Sequence, residues 1–284
     1  MAAAYSAYYT HGNASGVSEP PRSAWRKYRS AQRNAYLNAR YGYELTPAAS
    51  HILPWLSRER RQRFDKYVCF LPYAGKGARL LDVGCGNGRL MLQLQAVGWQ
   101  VCGVEPDPRS SAQARAAGLD VRDSIEEDAW PESYFDAIVM NHVIEHLQVP
   151  LETLSKCRRT LKPGGQISVA TPNFASLGHQ IFGRHWVSLD APRHLILFTP
   201  GSLRRLLESA GFEADPGVRP RFLAQSIFRH SMRIRCGQAP FQKTPKLSLG
   251  ASLKTQWLAM RANRRTAAHP ELGEELVLLA RRRV

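Results

Sequence analysis

Residues 80–89 read LLDVGCGNGR, and this run constrains the chain more than any other. Residues suited to a buried strand stop at Val83, and glycine then takes every second position, at Gly84, Gly86 and Gly88. Glycine adopts left-handed backbone angles without steric cost and has no Cβ to obstruct a ligand. Such a loop turns tightly and exposes its N–H groups. The question is what a strand that stops so abruptly holds at its end.

The surrounding pattern says where to look. ARLLDV, QVCGVEP, LDVR, FDAIVMN, QISVATPN and EELVLLARR read as strands. Helices are predicted between them. GRLMLQLQAVG ends at Gly98 and PDPRSSAQARAAG at Gly118. PLETLSKCRRTLKPGG is predicted to end at Pro163 and Gly164, and TPGSLRRLLESAGF has Thr199 placed to cap it, Pro200 in its first turn and Gly211 as its stop. Alternating strand and helix means an α/β fold, a mostly parallel sheet covered by helices on both faces. Ligands of such sheets lie beyond the carboxyl ends of the strands, here just after Val83, Val104, Met140 and Ala170. Residues 1–25 read as a loose arm, and Trp25 to Leu71 as amphipathic helix interrupted at Pro47 and Pro54. After Gly211 the alternation is lost until the last strand, and residues 222–270 are basic and helical in parts.

Two cofactor classes use a glycine loop of this kind. A dinucleotide fingerprint needs a third glycine where this chain has Arg89. The spacing here is G-x-G-x-G, with Asp82 ahead of it and Glu105 at the tip of the next strand, near the offset of an acid that binds ribose hydroxyls. On these residues the chain resembles the class I S-adenosylmethionine-dependent methyltransferases. LLDVGCGNGR is similar to their first motif and VEPDP to their second. FDAIVMNHVIEHL with LKPGGQISVATPN is similar to their fourth and fifth strands. The segment FGRHWVSLDAPRHLILFT resembles a bacterial group of small-substrate methyltransferases, some from cell-envelope loci, and NHVIEH resembles the ubiquinone-type enzymes, so the chain is similar to the type 11/23 group.

The resemblance implies a doubly wound, Rossmann-like sheet of seven strands with an antiparallel last strand. It implies a methyltransferase domain over 78–284, a helical extension over 1–77, and a helical cap over 222–270 inserted before the last strand. It also implies S-adenosylmethionine (SAM) as cofactor, with Asp82, Gly84, Gly86, Gly88, Glu105, Asp123, Ser124 and Asn141 around it. Glu105 would take the ribose hydroxyls, Asp123 or Ser124 the adenine amino group, and Asn141 and His142 would flank the sulfonium.

Methyl transfer to a hydroxyl gains from a base, and histidine suits neutral pH. His142, His146 and His194 are the candidates, with His185, Trp186, Asp190 and Arg193 on the acceptor side. Trp186 could stack on a ring or cover the core, and Arg193 could clamp an anion or pair with Asp190. In the ubiquinone-type enzymes a Glu-x-x-Glu-His arrangement can ligate a metal. Here His142, Glu145 and His146 occupy that place, and packing or capping is the preferred reading, with no metal expected.

The charge suggests partners. Lys and Arg exceed Asp and Glu by 16, as +8 over residues 1–77, −2 over 78–214 and +10 over 215–284. Basic flanks favour an anionic partner, whether nucleic acid, an acidic membrane surface or a phosphorylated substrate, and a solvated arginine-rich surface fits equally. Against nucleic acid, the fourth strand ends in NHVIEH and no aromatic recognition module follows. The expected partner is therefore a small-molecule, glycan- or lipid-linked acceptor. A SAM-binding protein without turnover is the non-enzymatic alternative. Leu253, Trp257 and Met260 form a stripe among Lys254, Arg261, Arg264 and Arg265, read as core or dimer packing rather than as an interfacial helix. Five cysteines without CxxC spacing, and no basic-then-apolar leader, point to a reduced, cytoplasmic chain.

Overall fold

The computed structural model describes residues 24–49, 56–125, 130–242 and 244–283. The expected arm before Trp25 lies almost wholly outside these residues, and the break at Pro54 lies outside them too. Seven strands form one sheet in the order β3-β2-β1-β4-β5-β7-β6, with β7 antiparallel. No described helix is long and apolar enough to cross a membrane.

The chain divides into two units. The first holds the described residues up to Met140, with Glu152–Ser168 and the end of the chain from Arg281. It opens with α1 (Ala24–Tyr41) and α2 (Arg58–Tyr67). Asp65 of α2 accepts hydrogen bonds of 2.8 Å from the hydroxyls of both Tyr36 and Tyr41, which ties the two helices together. Then follow β1 (Arg79–Val83), α3 (Arg89–Gln95), β2 (Gln100–Val104), α4 (Pro108–Ala116), β3 (Asp120–Arg122) and β4 (Phe135–Asn141). β1 lies parallel to both β2 and β4, and Val83 is in register with Val104 on one side and Met140 on the other. Its last four residues are buried, as expected for a strand covered on both faces. Asp107 caps α4 by accepting from the Ser110 N–H at 2.9 Å, with Pro108 in the first turn.

Next come α5 (Pro150–Thr160) and β5 (Leu161–Pro172). The helix predicted to run on to Pro163 and Gly164 stops at Thr160. Pro163 bars Lys162 from helical angles and offers no N–H to the Arg159 carbonyl, so the break falls ahead of the proline. The freed carbonyls find other donors. Ser133 N–H reaches Arg159 O at 3.1 Å and Tyr134 N–H reaches Thr160 O at 2.8 Å. The Arg282 guanidinium bonds the carbonyls of Arg158, Arg159 and Leu161.

The second unit holds Asn141–Leu151 and Val169–Ala280. It contains the end of β5, then α6 (Leu177–Phe182), α7 (Pro200–Ser209), β6 (Phe212–Ala214), α8 (Ala224–Arg235), α9 (Leu249–Ala268) and, up to Ala280, β7 (Glu275–Arg282). Thr199 caps α7, as the sequence predicts, and Ser202 completes a reciprocal capping box with it. β6 is a strand that the sequence pattern does not announce, only three residues long. The core of this unit gathers Phe182, Phe228, Met232, Ala259 and Ala262 around Trp186.

Two expectations are corrected here. Trp186 is 1 % exposed and does not face an acceptor; its indole N–H donates to Glu274 Oε2 at 2.9 Å. The stripe on α9 is not core. Leu253, Trp257 and Met260 are all exposed, and the helix packs through Thr255, Ala259, Ala262 and Thr266 instead.

Trp186→Phe should therefore destabilise the fold by about 2–4 kcal/mol in urea unfolding, since it thins the core and removes a donor from a buried carboxylate. It should leave cofactor affinity unchanged. Unaltered stability with a raised acceptor KM would instead place the ring against the acceptor.

Candidate active site

In the first unit the glycine loop is held from behind by β2. Gly84 and Cys85 both donate backbone N–H bonds to Val104 O, at 2.8 and 3.0 Å. Glu105 closes the arrangement. One carboxylate oxygen accepts from Gly86 N–H at 2.8 Å and the other from Asp107 N–H at 2.9 Å. Gly84, Gly86 and Gly88 all have positive φ, at 73, 56 and 78°. Two of them are glycine for different reasons. A Cβ on Gly88 would lie 2.2 Å from Leu119 Cδ1 and 3.1 Å from Ala114 Cβ, so close packing excludes it. A Cβ on Gly86 would meet nothing within 4 Å. The space over Gly86 is open.

Asp82 lies at the end of β1, 2 % exposed, and its Oδ2 has no hydrogen-bond partner. Burial, with the Glu105 charge adding to it, pushes its carboxyl up to about 8. Asn141 is half-buried at the last residue of β4. Asp123 and Ser124 are exposed beyond β3, and Asp123 accepts from the Arg115 guanidinium at 2.7 Å.

In the second unit the residues after β4 form a charged cluster. His142 adopts a left-handed φ of 56°, and its N–H donates to Ala170 O at 2.8 Å. Its Nδ1 lies 3.2 Å from Glu145 Oε1 and its Nε2 3.5 Å from Glu275 Oε2. Burial opposes charge on the ring, but the side chain is 42 % exposed and the two carboxylates prevail, raising it to about 10. Glu145 is fully buried, which works against its charge. Its bond to His142 prevails, and the carboxyl is held below its ordinary value. Glu145 also accepts from the Thr171 hydroxyl at 2.9 Å, and its carbonyl accepts the N–H groups of Leu195 and Ile196. Arg221 reaches Glu275 Oε1 at 2.5 Å, both side chains being almost wholly buried. Two carboxylates thus face an imidazolium and a guanidinium.

His146 and His194 stand together, their ring centroids 4.9 Å apart. His146 Nδ1 lies 2.9 Å from Arg193 O, and His194 Nδ1 lies 2.8 Å from Ser188 O. A carbonyl only accepts, so each Nδ1 carries the proton and Nε2 is the acceptor of the neutral ring. Burial holds His194 below its ordinary pKa, so it is neutral at pH 7. Glu145, His146 and His194 each offer a donor atom within 4.8 Å of the others, a group that could take a divalent cation. That set replaces the one suggested by sequence: His194 joins it and His142 does not. Arg193 pairs with Asp190 at 2.6 Å, and His185 is half-buried in the short turn Gly183–His185. Glu275, Arg221 and Thr171 were missed. The signal was present in GEELVLLA, where two acids lead into a buried strand and so need partners.

A family model described as a methyltransferase domain matches residues 55–216, more than half of the chain. The chain belongs to that family. It is similar to a ubiquinone biosynthesis O-methyltransferase of Cereibacter sphaeroides, 32% identical over 174 residues, covering 57% of this chain and 70% of that one. It is also similar to one of Roseobacter denitrificans, 29% identical over 189 residues, covering 62% and 75%. Among solved structures it resembles the [4+2]-cyclase SpnF, with a TM-score of 0.54, 21% identity, and coverage of 88% and 92%. A SAM-dependent methyltransferase from Archaeoglobus fulgidus gives a TM-score of 0.50 and 21% identity, covering 79% and 94%. The two structures share the fold.

The methyltransferase is SAM-dependent and of class I. Its residues fit the cofactor. The space over Gly86 is open, each Glu105 oxygen keeps a second lone pair, and the buried Asp82 oxygen awaits a donor. When bound, the cofactor supplies the activated methyl carbon.

Gly86→Ala should cost about 1–2 kcal/mol of stability from its φ alone, yet weaken S-adenosylhomocysteine binding at least about tenfold by filling that space. Gly88→Ala should unfold more readily, by about 2–4 kcal/mol, because strain and a clash with Leu119 add. Equal losses of binding at equal stability would refute the distinction.

Asp82 provides a test by pH. Its folded pKa lies above the ordinary carboxylate value, so its contribution to stability is complete in acid and is lost as pH rises through about 8. In the cofactor-free protein, Asp82→Asn should gain on wild type by roughly 1.4 kcal/mol per unit between pH 5 and 7. Parallel urea midpoints across that range would contradict it.

Proposed function

We propose that the chain transfers a methyl group from SAM to a hydroxyl oxygen of a small-molecule acceptor, free or joined to a sugar or lipid, with His194 as the base. What carries the reading is the neutral His194 ring, anchored through Nδ1 on a backbone carbonyl with Nε2 as its acceptor. An alcohol is a poor nucleophile until its proton leaves. A base placed to take the proton contributes roughly 10²–10⁴-fold. Asp190 Oδ2, 3.9 Å from His194 Nε2, favours the charge that arrives with that proton. His142 is assigned a different part. Held as a cation between two glutamates, it has no lone pair to offer at neutral pH and serves to position the loop after β4.

The curated relatives named O-methyltransferases support oxygen as the methylated atom. Alignment of nucleophile, methyl carbon and sulfur accounts for much of the rate in such displacements, so the acceptor must be held closely. Residues 78–284 are taken as the catalytic domain, residues up to 77 as an extension, and 222–270 as the acceptor cap.

The test is a methylation screen of phenolic, glycosidic and lipid-linked hydroxyls, followed by kinetics on the best acceptor. His194→Ala should lower kcat by about 10²–10⁴-fold and leave S-adenosylhomocysteine binding intact. In the wild type, kcat should rise with pH only below about 6.5, the ordinary histidine value, and be flat at neutrality. Unchanged turnover in His194→Ala sinks the assignment, and turnover abolished by a chelator and restored by a divalent metal replaces base catalysis with metal assistance.

A further inference from the structure

We propose that α9 is an interfacial helix by which this protein docks on an acidic phospholipid surface, its exposed apolar stripe entering the headgroup boundary. At 100° per residue, Leu249, Leu253, Trp257 and Met260 fall within an arc of about 80°. They are 76 %, 57 %, 51 % and 48 % exposed. Thr255, Ala259, Ala262 and Thr266 fall on the opposite side and are buried. The arrangement inverts a normal surface helix: small residues face the protein and large apolar ones face outward. The core of this unit is complete without the stripe, because Ala259 and Ala262 already pack against Phe228, Met232 and Trp186.

Charge decides the occupant. Residues 216–270 contain eleven Lys and Arg and no Asp or Glu. On α9, Lys254, Arg261, Arg264 and Arg265 are exposed around the stripe, and the Arg261 guanidinium lies 4.5 Å above the Trp257 ring. An apolar face with tryptophan at the edge that borders the basic residues is the composition of a helix that lies in the plane of an anionic bilayer. A second copy of this chain fits less well, since a two-fold contact would set one basic rim against another. Nucleic acid would leave the leucines and methionine unmatched. The helix is not apolar enough to cross a membrane, which agrees with lying on one. This inference is independent of the acceptor and of the base.

The experiment is co-sedimentation of the full chain with phosphatidylcholine vesicles, with and without phosphatidylglycerol, while tryptophan emission is followed. Two variants accompany the wild type: Leu253→Gln with Trp257→Gln, and Arg261→Gln with Arg264→Gln and Arg265→Gln. All five substituted positions are exposed, and circular dichroism with S-adenosylhomocysteine binding verifies that each variant folds. Wild type should bind the acidic vesicles only, with a blue shift that the first variant lacks. The arginine variant should bind about 100-fold more weakly, at about 1 kcal/mol for each basic residue near the surface. Equal binding to neutral vesicles, or no binding, overturns the proposal. So does binding that survives loss of the stripe, which is attraction without docking, and so does a dimer in sedimentation velocity that Leu253→Gln with Trp257→Gln dissociates.

Discussion

A carboxylate taken out of water must be met by donors or lose its charge, and both units of this methyltransferase are organised by that demand. In the first, Glu105 meets it with two backbone N–H groups and in doing so holds the glycine loop against β2. Asp82 has no such donor on Oδ2 and is pushed toward the neutral form. In the second, Glu145 binds His142 and Thr171 through its side chain and the 195–196 segment through its carbonyl. One buried acid therefore joins the end of β4, the end of β5 and the loop that carries His194.

The histidines show how the same side chain is held in opposite charge states. His142 has carboxylates near both ring nitrogens, and they outweigh burial, so it is kept as a cation. His194 has a backbone carbonyl on one nitrogen, and burial outweighs the more distant Glu145 and Asp190 charges, so it is kept neutral. A cation can organise acids, and a neutral ring has a lone pair that a proton could join. Neither role is a property of histidine alone; each follows from which oxygens stand within bonding distance.

Much of this could be read from residue order. The glycine loop, Glu105 and the cap at Thr199 are local, and local patterns depend on backbone angles that few residue types satisfy. What escaped depends on partners far away in the chain. Trp186 reads like a ligand-stacking residue in a loop, and only the bond to Glu274, 88 residues later, identifies it as core. Glu275 could not be matched with His142 without the strand order that brings β7 beside β5. The end of α5 was misplaced by three residues because proline acts on its predecessor before it acts on itself. The α9 stripe has helical spacing, and helical spacing alone does not say which face is inward; the small residues opposite decided that.

The likeness to SpnF carries a further lesson about where specificity resides. A protein described as a [4+2]-cyclase shares this fold over most of its length, so the sheet and the loop at its end do not determine the reaction. The family match here ends at residue 216, and from that residue to 270 the chain contains no acid at all. A folded segment under no demand but packing would have mixed charges on its solvent face, since opposite signs relieve repulsion between neighbours. Here repulsion among lysines and arginines persists, and large apolar residues are exposed beside them on α9. Both features cost stability or solubility in the isolated chain. On the proposal above, an anionic, partly apolar surface would relieve both at once.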